Sequence, residues 1–169
     1  KLCHGDCALG STELARGLRI IKDFLDSNPR EVVTVVWELA GGDPSGVLKL
    51  ELAQVVQDLV LEGVMYQHSL GSVWPSLGEM IESGRRLVFF TPTRQGKYAW
   101  DNFASDFITE TPWNYKSRSD MEQGCEQRGT GARDLFLLNH FLTNPLPSPS
   151  LAASINYNPL LLERARRCE

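Results

Sequence analysis

Apolar residues near the start of the chain recur at the spacing of an amphipathic helix. They are Leu14, Leu18, Ile21 and Leu25. Residues 11–13 (Ser-Thr-Glu) offer an N-cap and a first-turn acid, and the Asn-Pro pair at residues 28–29 stops the helix. Residues 32–37 are then β-branched and almost continuously apolar. This run predicts a parallel strand that is covered on both faces and ends at Glu38.

The alternation of helix and strand continues. A second helix follows the Gly-Gly-Asp-Pro turn at residues 41–44 and stops near Gly63. Its apolar stripe is Leu48, Leu52, Val55 and Leu59. Ser76 and Glu79 make a capping box for a short helix that Gly84 closes, and residues 87–91 form another buried strand.

The second half of the chain has a weaker pattern. Residues 92–133 are polar and aromatic, and only residues 107–109 indicate a strand. Because long structureless loops are uncommon unless they bind something, we predict one long functional loop here. A strand at residues 135–138 and a last helix over residues 151–167 complete the pattern.

Repeated strand, loop and helix predict an α/β fold with a parallel sheet, either a closed barrel or an open sheet. Periodicity does not choose between the two. His4, Glu38 and the pair Asn139 and His140 each follow an apolar strand, which is where a TIM barrel carries its catalytic groups. A complete barrel takes about 250 residues, so a chain of 169 residues should lack several strands.

Composition is that of an ordinary globular chain, with 42% apolar and 22% charged residues and a net charge of -4. We therefore treat residues 1–169 as part of one domain. No run of like charges supports a nucleic-acid partner or a polybasic membrane patch. No apolar stretch approaches the roughly 20 residues that span a membrane. The chain starts at Lys1 without Met, and we expect the natural start to lie upstream.

Four cysteines make an even count without a Cys-x-x-Cys motif. Cys3 and Cys7 are close enough to close a small loop, which would leave Cys125 and Cys168 to pair. Four cysteines allow three connectivities, so this pairing is a preference. Disulfides would indicate an oxidising compartment, whereas four free buried thiols would suit a cytosolic protein equally well.

Several runs, taken in order, resemble the phospholipase-C-like phosphodiesterases, which share the catalytic domain of phosphatidylinositol-specific phospholipase C. These runs begin with Leu2-Cys3-His4-Gly5 and Cys7. They continue with residues 24–29, 31–38, 74–81, 84–88 and 138–141. The likeness covers nearly the whole chain and is nearest to cysteine-bearing secreted members. No single run is specific to this family, but the whole set of runs, in this order and at compatible spacing, is fairly specific.

The resemblance implies a TIM-like (β/α) barrel, incomplete at both ends here, and cleavage of a phosphodiester by two histidines. His4 matches the second of these, the general acid; imidazole suits this role because it changes protonation near neutral pH. Glu38 matches an acidic active-site position. No cofactor is implied; calcium takes six to eight oxygen ligands, and one carboxylate is too little to argue for it. We expect a secreted monomer that acts on a phosphodiester such as a phosphoinositide, with transient contact to a membrane surface.

Other residues are candidates for substrate binding. Arg94 follows a strand and has a planar fork suited to phosphate, although solvated loop arginines are commoner. Trp113 and Tyr115 could stack on a sugar ring or simply seal the top of the fold. Asn139 could face the site, while His140 suits a packed, satisfied histidine and His68 a loop.

The family's first catalytic histidine, its neighbouring Asn or Asp, its phosphate-binding arginine and its closing strand have no match here. We therefore expect an incomplete active site in this chain alone. The rival hypothesis is a catalytically silent secreted domain used for binding or structure. A serine hydrolase is disfavoured because no Gly-x-Ser-x-Gly elbow occurs.

Overall fold

The computed structural model describes residues 2, 8, 10–38, 47–93, 98, 100–126, 134–142 and 148–168. The chain divides into two compact units, unit 1 (Lys1–Asp106) and unit 2 (Phe107–Glu169). Each unit has its own parallel sheet. The expectation of one domain over residues 1–169 stays a prediction.

Unit 1 is organised around a central strand. Strands β1 (Val33–Val36), β2 (Met65–Tyr66), β3 (Leu87–Thr91) and β4 (Asn102–Phe103) form one sheet in which every pair is parallel. Leu87 lies opposite residues of both β1 and β2, and Phe90 lies opposite residues of both β1 and β4. Strand β1 therefore occupies one edge of β3, and β2 and β4 follow each other along the other edge.

Helices α1 (Leu14–Ser27) and α2 (Val47–Asp58) contribute to the core on one side of this sheet. Their buried residues are Leu14, Leu18, Leu25, Leu52 and Val56, which pack in one cluster with Leu87 and Phe89 of β3. The amphipathic spacing therefore predicted the apolar face of α1 correctly. A 3-10 helix (Leu61–Gly63) follows α2, after Val60 has adopted a left-handed backbone with φ 55°.

Helix α3 (Leu77–Ser83) confirms the predicted capping box. The Ser76 hydroxyl accepts from Glu79 N, and the Glu79 carboxylate accepts from Ser76 N at 2.7 Å. These backbone and side-chain hydrogen bonds hold the pKa of Glu79 below its ordinary value, because they favour the charged carboxylate. Gly84 ends the helix in the left-handed region at φ 73°.

The sheet of unit 1 is covered unevenly. All five residues of β3 are buried, as predicted. In β1, Val33 and Val35 are half-buried while Thr34 and Val36 are exposed, with Val36 at 44%. The prediction that this strand is covered on both faces is therefore wrong: its second face lacks a packed layer among the described residues.

Unit 2 contains β5 (Ile108–Glu110) and β6 (Leu135–Leu137), which pair in parallel, and helices α5 (Arg118–Gln123), α6 (Pro149–Ile155) and α7 (Asn158–Cys168). A short helix α4 (Ala104–Phe107) precedes β5. The core is made of Tyr115, Met121, Leu142, Ile155 and Leu160. The predicted long loop over residues 92–133 is thus wrong, since this range contains β4, α4 and α5 besides β5, the strand indicated at residues 107–109.

The predicted last helix is two helices. Helix α6 ends at Ile155 with Asn156 as its C-cap, whose N–H donates to Ala152 O, and α7 starts at Asn158. Pro159 explains the break, because it has no N–H to donate to Ile155 O in a continuous helix.

The prediction of a TIM-like barrel is contradicted. Among the described residues there are two small open parallel sheets, of four strands and two strands, and neither closes on itself. A parallel barrel closes with about eight tilted strands, so the strands found here are too few. The α/β class and the parallel pairing are confirmed. No helix in the described part of the chain is long and apolar enough to cross a bilayer.

Arg86 connects the start of β3 to the end of α1. Its guanidinium is buried and donates to Leu25 O and Asn28 O, both at 3.0 Å, and to Glu31 O at 3.1 Å. Carbonyls at the C-terminal end of a helix lack partners within the helix, so Arg86 satisfies the buried carbonyl of Leu25 and adds to the hydrogen bond that Asn28 O accepts from Glu31 N.

Replacing Arg86 should therefore destabilise unit 1. We expect R86M to lower the free energy of unfolding by about 2–4 kcal/mol, because several buried carbonyls lose a charged donor. Chemical denaturation measures the effect. R19M, which removes an exposed arginine from α1, should change stability by less than about 0.5 kcal/mol. Equal effects of the two variants would contradict this role for Arg86.

Candidate active site

Polar side chains lie at the carboxyl ends of strands in both units. Glu38 comes two residues after β1, Thr91 ends β3, Glu110 ends β5, and Asn139 comes two residues after β6. In each parallel sheet these strand ends lie along the same border, the carboxyl edge, which is where parallel α/β folds place ligands. The carboxyl edges of the two sheets are therefore the candidate sites, one in each unit.

Glu38 is exposed at the edge of unit 1. It lines an apolar crevice of about 200 Å³ together with residues of α1, of β1 and of the N-terminal segment, including Leu18, Val36 and Leu2. Leu2 is fixed there by two backbone hydrogen bonds with Thr12, at 2.7 and 2.9 Å. The crevice therefore brings Glu38 and the residue two positions before His4 to one place. His4 itself lies outside the described residues.

Gly17 allows this close approach of the N-terminal segment. A Cβ at Gly17 would lie 2.5 Å from Leu2 Cδ1, so a larger residue would require the end of the Leu2 side chain to move. Gly17 thus lets Leu2 approach α1 closely, although glycine lowers helix propensity.

A buried ion pair occupies the end of β3. Lys49 Nζ lies 2.5 Å from Asp101 Oδ2, and the two side chains are 4% and 2% exposed. Lys49 also donates to Thr93 O at 3.0 Å, and the Thr91 hydroxyl bonds to the second oxygen of Asp101. The ammonium and both carboxylate oxygens therefore have protein partners. Because this network connects Thr93 to Asp101, we assign Lys49 and Asp101 a structural role.

His68 lies in an aromatic cluster of unit 1. Its ring stacks on Trp74 with a centroid distance of 3.8 Å, Nδ1 lies 3.1 Å from Tyr66 Oη, and Nε2 lies 3.2 Å from Ser72 O. Since a carbonyl only accepts, Nε2 carries the proton and Nδ1 accepts from the Tyr66 hydroxyl. Desolvation raises the pKa of Tyr66, which keeps that hydroxyl a donor. The predicted loop histidine is thus a buried, fully bonded side chain.

A cleft of about 600 Å³ lies beside β2 and is lined by Glu62, Tyr66, Arg85 and Trp100 among others. One terminal nitrogen of the Arg85 guanidinium donates to the backbone carbonyls of Glu62 and Met65. Of the predicted site residues that the structure describes, none lines this cleft.

At the edge of unit 2, Asn139 holds a carboxylate. Its amide nitrogen donates to Glu110 Oε2 at 2.9 Å and to Thr111 O at 2.7 Å, and its backbone N–H donates to Thr111 Oγ1 at 2.9 Å. Asn139 therefore joins the ends of β5 and β6 and orients Glu110. Sequence reasoning missed Glu110; its position at the end of the indicated strand at residues 107–109 was the available signal.

Arg164 is a fully buried guanidinium that connects much of unit 2. One terminal nitrogen donates to Asn139 O at 2.6 Å and His140 Nδ1 at 3.3 Å; the other donates to Gly124 O at 2.9 Å and Tyr115 Oη at 3.1 Å. All four acceptors are neutral. Burial lowers the pKa of Arg164 below its ordinary value, and the contact with the Tyr115 hydroxyl opposes this shift.

His140 is packed as predicted. Its Nε2 lies 3.1 Å from Ile155 O, and its Nδ1 accepts from Arg164. Nε2 therefore carries the proton, and both ring nitrogens are in use.

The two predicted aromatic residues differ in exposure. Trp113 is 51% exposed and has a face available to a ligand, so its role in stacking stays a prediction. Tyr115 is 7% exposed, its ring lies under Arg164, and its hydroxyl donates to Gly124 O at 3.2 Å. This burial supports the sealing role for Tyr115 over the stacking one.

Arg94, Cys3 and Cys7 lie outside the described residues, so their predicted roles stay predictions. Cys125 and Cys168 form a disulfide with a Cα–Cα distance of 5.1 Å, which is the preferred pairing. Within the described ranges, no group of three His, Cys, Asp or Glu side chains is arranged to hold a metal ion.

A comparison with protein families decides the identity of the chain. The family model named PI-PLC X (PI-PLC X 1) matches residues 1–156. This chain belongs to the PI-PLC X family. The match includes both His4 and Asn139, so the edges of both units fall within the family's domain.

Curated relatives agree with this membership. The chain is 28% identical over 151 residues to PI-PLC X domain-containing protein 1 of Arthroderma benhamiae, with 83% of this chain and 48% of that protein covered. An uncharacterized secreted protein of the same fungus is 31% identical, with 83% and 34% covered. A PI-PLC X domain-containing protein of Arabidopsis thaliana is 26% identical, with 86% and 36% covered. The chain thus spans half or less of each of these relatives, and no solved structure matches it.

The disulfide should stabilise unit 2 of this PI-PLC X chain. It closes a separation of 43 residues, and cross-linking a loop of this length constrains the unfolded chain by about 4 kcal/mol. We expect C125S/C168S to lose about 2–4 kcal/mol in urea denaturation, and reducing agent to cost the wild type at least as much. An unchanged midpoint in the double variant would contradict a stabilising role.

Proposed function

We propose that this chain contributes to the active site of a phosphoric diester hydrolase, in which His4 is the general acid. The observation that carries the proposal is the state of the other histidines. The chain has three, and in the two that the structure describes both ring nitrogens are bonded to protein groups. Proton transfer to a substrate needs a nitrogen that can reach it, so His4 is the remaining candidate.

The proton on His4 would move to the leaving alkoxide oxygen as the bond from phosphorus to that oxygen breaks. A positioned imidazole suits this step because its ordinary pKa lies near the working pH. Neither His68 nor His140 could take this part without breaking the hydrogen bond between its Nε2 and a backbone carbonyl.

Glu38 is proposed as the carboxylate that supports His4. It is exposed, and it lines the same crevice as Leu2, two residues from His4 in sequence. A nearby carboxylate favours the protonated imidazolium, which is the form that a general acid requires.

Substrate recognition is proposed for Arg94, Trp113 and Asn139. The planar fork of an arginine suits a phosphate, and an exposed indole suits a sugar or inositol ring. In unit 2, Glu110, which Asn139 orients, adds a carboxylate that can accept from substrate hydroxyls. Each of these groups suits one part of a phosphoinositide or of a smaller phosphodiester with a hydroxylated ring.

Secretion belongs to the same proposal. A disulfide persists in oxidising compartments, and one relative is named as a secreted protein.

The test is release of inositol phosphate by the full-length parent protein. We expect H4A to lower kcat/KM by about 100- to 10,000-fold, because the leaving oxygen loses its proton donor. E38Q should lower it by about tenfold or more, through weaker support of the imidazolium. E51Q, which changes another exposed glutamate, on α2, is the matched control and should leave activity unchanged. Wild-type activity in H4A would refute the proposal.

A second candidate function is a catalytically silent secreted domain that binds its ligand without cleaving it. The same hydrogen bonds are compatible with it, because neither His68 nor His140 is available as the family's first catalytic histidine, the partner of His4. A parent protein that binds phosphodiesters but releases no product, with or without His4, would support this alternative.

A further inference from the structure

The cleft beside β2 carries two opposite charges. Arg85 and Glu62 are the charged residues that line this cleft of about 600 Å³, and both are exposed. Within the part of the chain that the structure describes, neither side chain takes part in an ion pair. A cleft of this volume has the size of a small-molecule site. One positive and one negative group are therefore available to a ligand there.

The guanidinium of Arg85 is anchored on one side. Its Nη1 donates to Glu62 O at 2.6 Å and to Met65 O at 3.3 Å. Nε and Nη2 have no hydrogen-bond partner among the described residues. These two nitrogens form the edge of a guanidinium that donates two parallel hydrogen bonds to a carboxylate or a phosphate. Because the backbone already holds Nη1, the side chain loses little further freedom when an anion binds this edge.

Apolar side chains supply another part of the lining. Met65 and Trp100, each 3% exposed, line the cleft together with the half-buried Tyr66. The Trp100 ring is fixed, because it stacks on Tyr98 with a centroid distance of 5.2 Å and packs edge to face on Phe89 at 5.9 Å. A ligand therefore meets a rigid apolar surface beside the two charges.

The cleft is separate from the proposed active site. Glu62 precedes β2 and Arg85 precedes β3, so both lie toward the amino ends of these parallel strands. Glu38, by contrast, follows β1 at the carboxyl edge. The five residues of β3 span about 13 Å between the two ends. A ligand that binds Glu62 and Arg85 thus leaves the carboxyl edge open.

We propose that the cleft beside β2 binds a free α-amino acid with a large apolar side chain. The carboxylate of the amino acid accepts hydrogen bonds from Nε and Nη2 of Arg85, and its ammonium pairs with the Glu62 carboxylate. Its side chain packs along Met65 and Trp100. This site is independent of the proposed phosphodiesterase activity.

The charges of the lining select this ligand among the anions that suit an arginine. One positive and one negative side chain match a zwitterion. A phosphate with two negative charges would lie near the Glu62 carboxylate, and bringing like charges together costs binding energy. In a free amino acid the two charged groups are attached to the same carbon, whereas in a peptide they lie at opposite ends. A free amino acid can therefore reach both side chains within one cleft.

The test is isothermal titration calorimetry of the full chain with L-phenylalanine. We expect binding with a Kd of about 1 mM or lower. Phenethylamine lacks the carboxylate and 3-phenylpropionate lacks the ammonium, so each should bind about tenfold more weakly or worse. Glycine keeps both charges but lacks the ring, and it should also bind more weakly.

Variants of the two charged residues test the assignment from the side of the protein. R85K should weaken binding of L-phenylalanine about tenfold, because lysine keeps the charge but loses the planar fork. E62Q should weaken binding of L-phenylalanine but not of 3-phenylpropionate, which has no ammonium to lose a partner. The matched controls are R16K on α1 and E51Q on α2, which change exposed residues of the same unit. Both should bind L-phenylalanine like the wild type.

The absence of binding heat from L-phenylalanine up to about 20 mM would overturn the inference. Binding of phenethylamine or 3-phenylpropionate as tight as that of L-phenylalanine would overturn it too, because one of the two charges would then not be recognised. Wild-type affinity in R85K would contradict the role of the guanidinium. Circular dichroism checks that the variants are folded, and the ligand series with the wild type decides the matter if R85K is not.

Discussion

The buried strand β3 holds unit 1 together. All of its side chains are out of water, and it bonds to neighbours along both edges. Strand β1 on one side of β3 leads to Glu38, whereas β2 on the other side leads to the stacked rings of His68 and Trp74. Arg86, immediately before β3, ties the strand to the end of α1. Parallel strands are normally covered on both faces, and β3 is the strand of this sheet in which every residue is buried. The positions of Glu38 and of the residues that follow β2 therefore depend on β3.

Local patterns were readable from the sequence where they were long or chemically specific. The spacing of Leu14, Leu18 and Leu25 gave α1, and Ser76 with Glu79 gave the start of α3 to the residue. Strands β2 and β4, of two residues each, are too short for any period to show. The prediction of a closed barrel was wrong for another reason. Closure depends on which strands pair over long distances in the sequence, and the apolar pattern of a single strand is the same in open and closed sheets.

The site was predictable only in part. Polar residues at strand ends led to Glu38 and Asn139, whose roles stay predictions, whereas Glu110, at the end of β5, was overlooked. The position of a polar residue in the sequence also does not show whether its side chain binds a ligand or stabilises the fold. Lys49 and Asp101 form a buried ion pair with each other. The guanidinium of Arg164 donates hydrogen bonds to neutral groups of unit 2. Only the bonded partners of each group, which require the folded chain, show which side chains remain available to a ligand.

The central claim is that one histidine of three is free to exchange a proton with a phosphodiester. Ring-nitrogen NMR of the histidines, with and without inositol phosphate, tests it directly. We predict that the signals of His68 and His140 are those of the Nε2–H tautomer and do not move when ligand is added, because both nitrogens are bonded to protein. The signals of His4 should shift. Unchanged His4 signals together with ligand-dependent shifts at His68 or His140 would contradict the account.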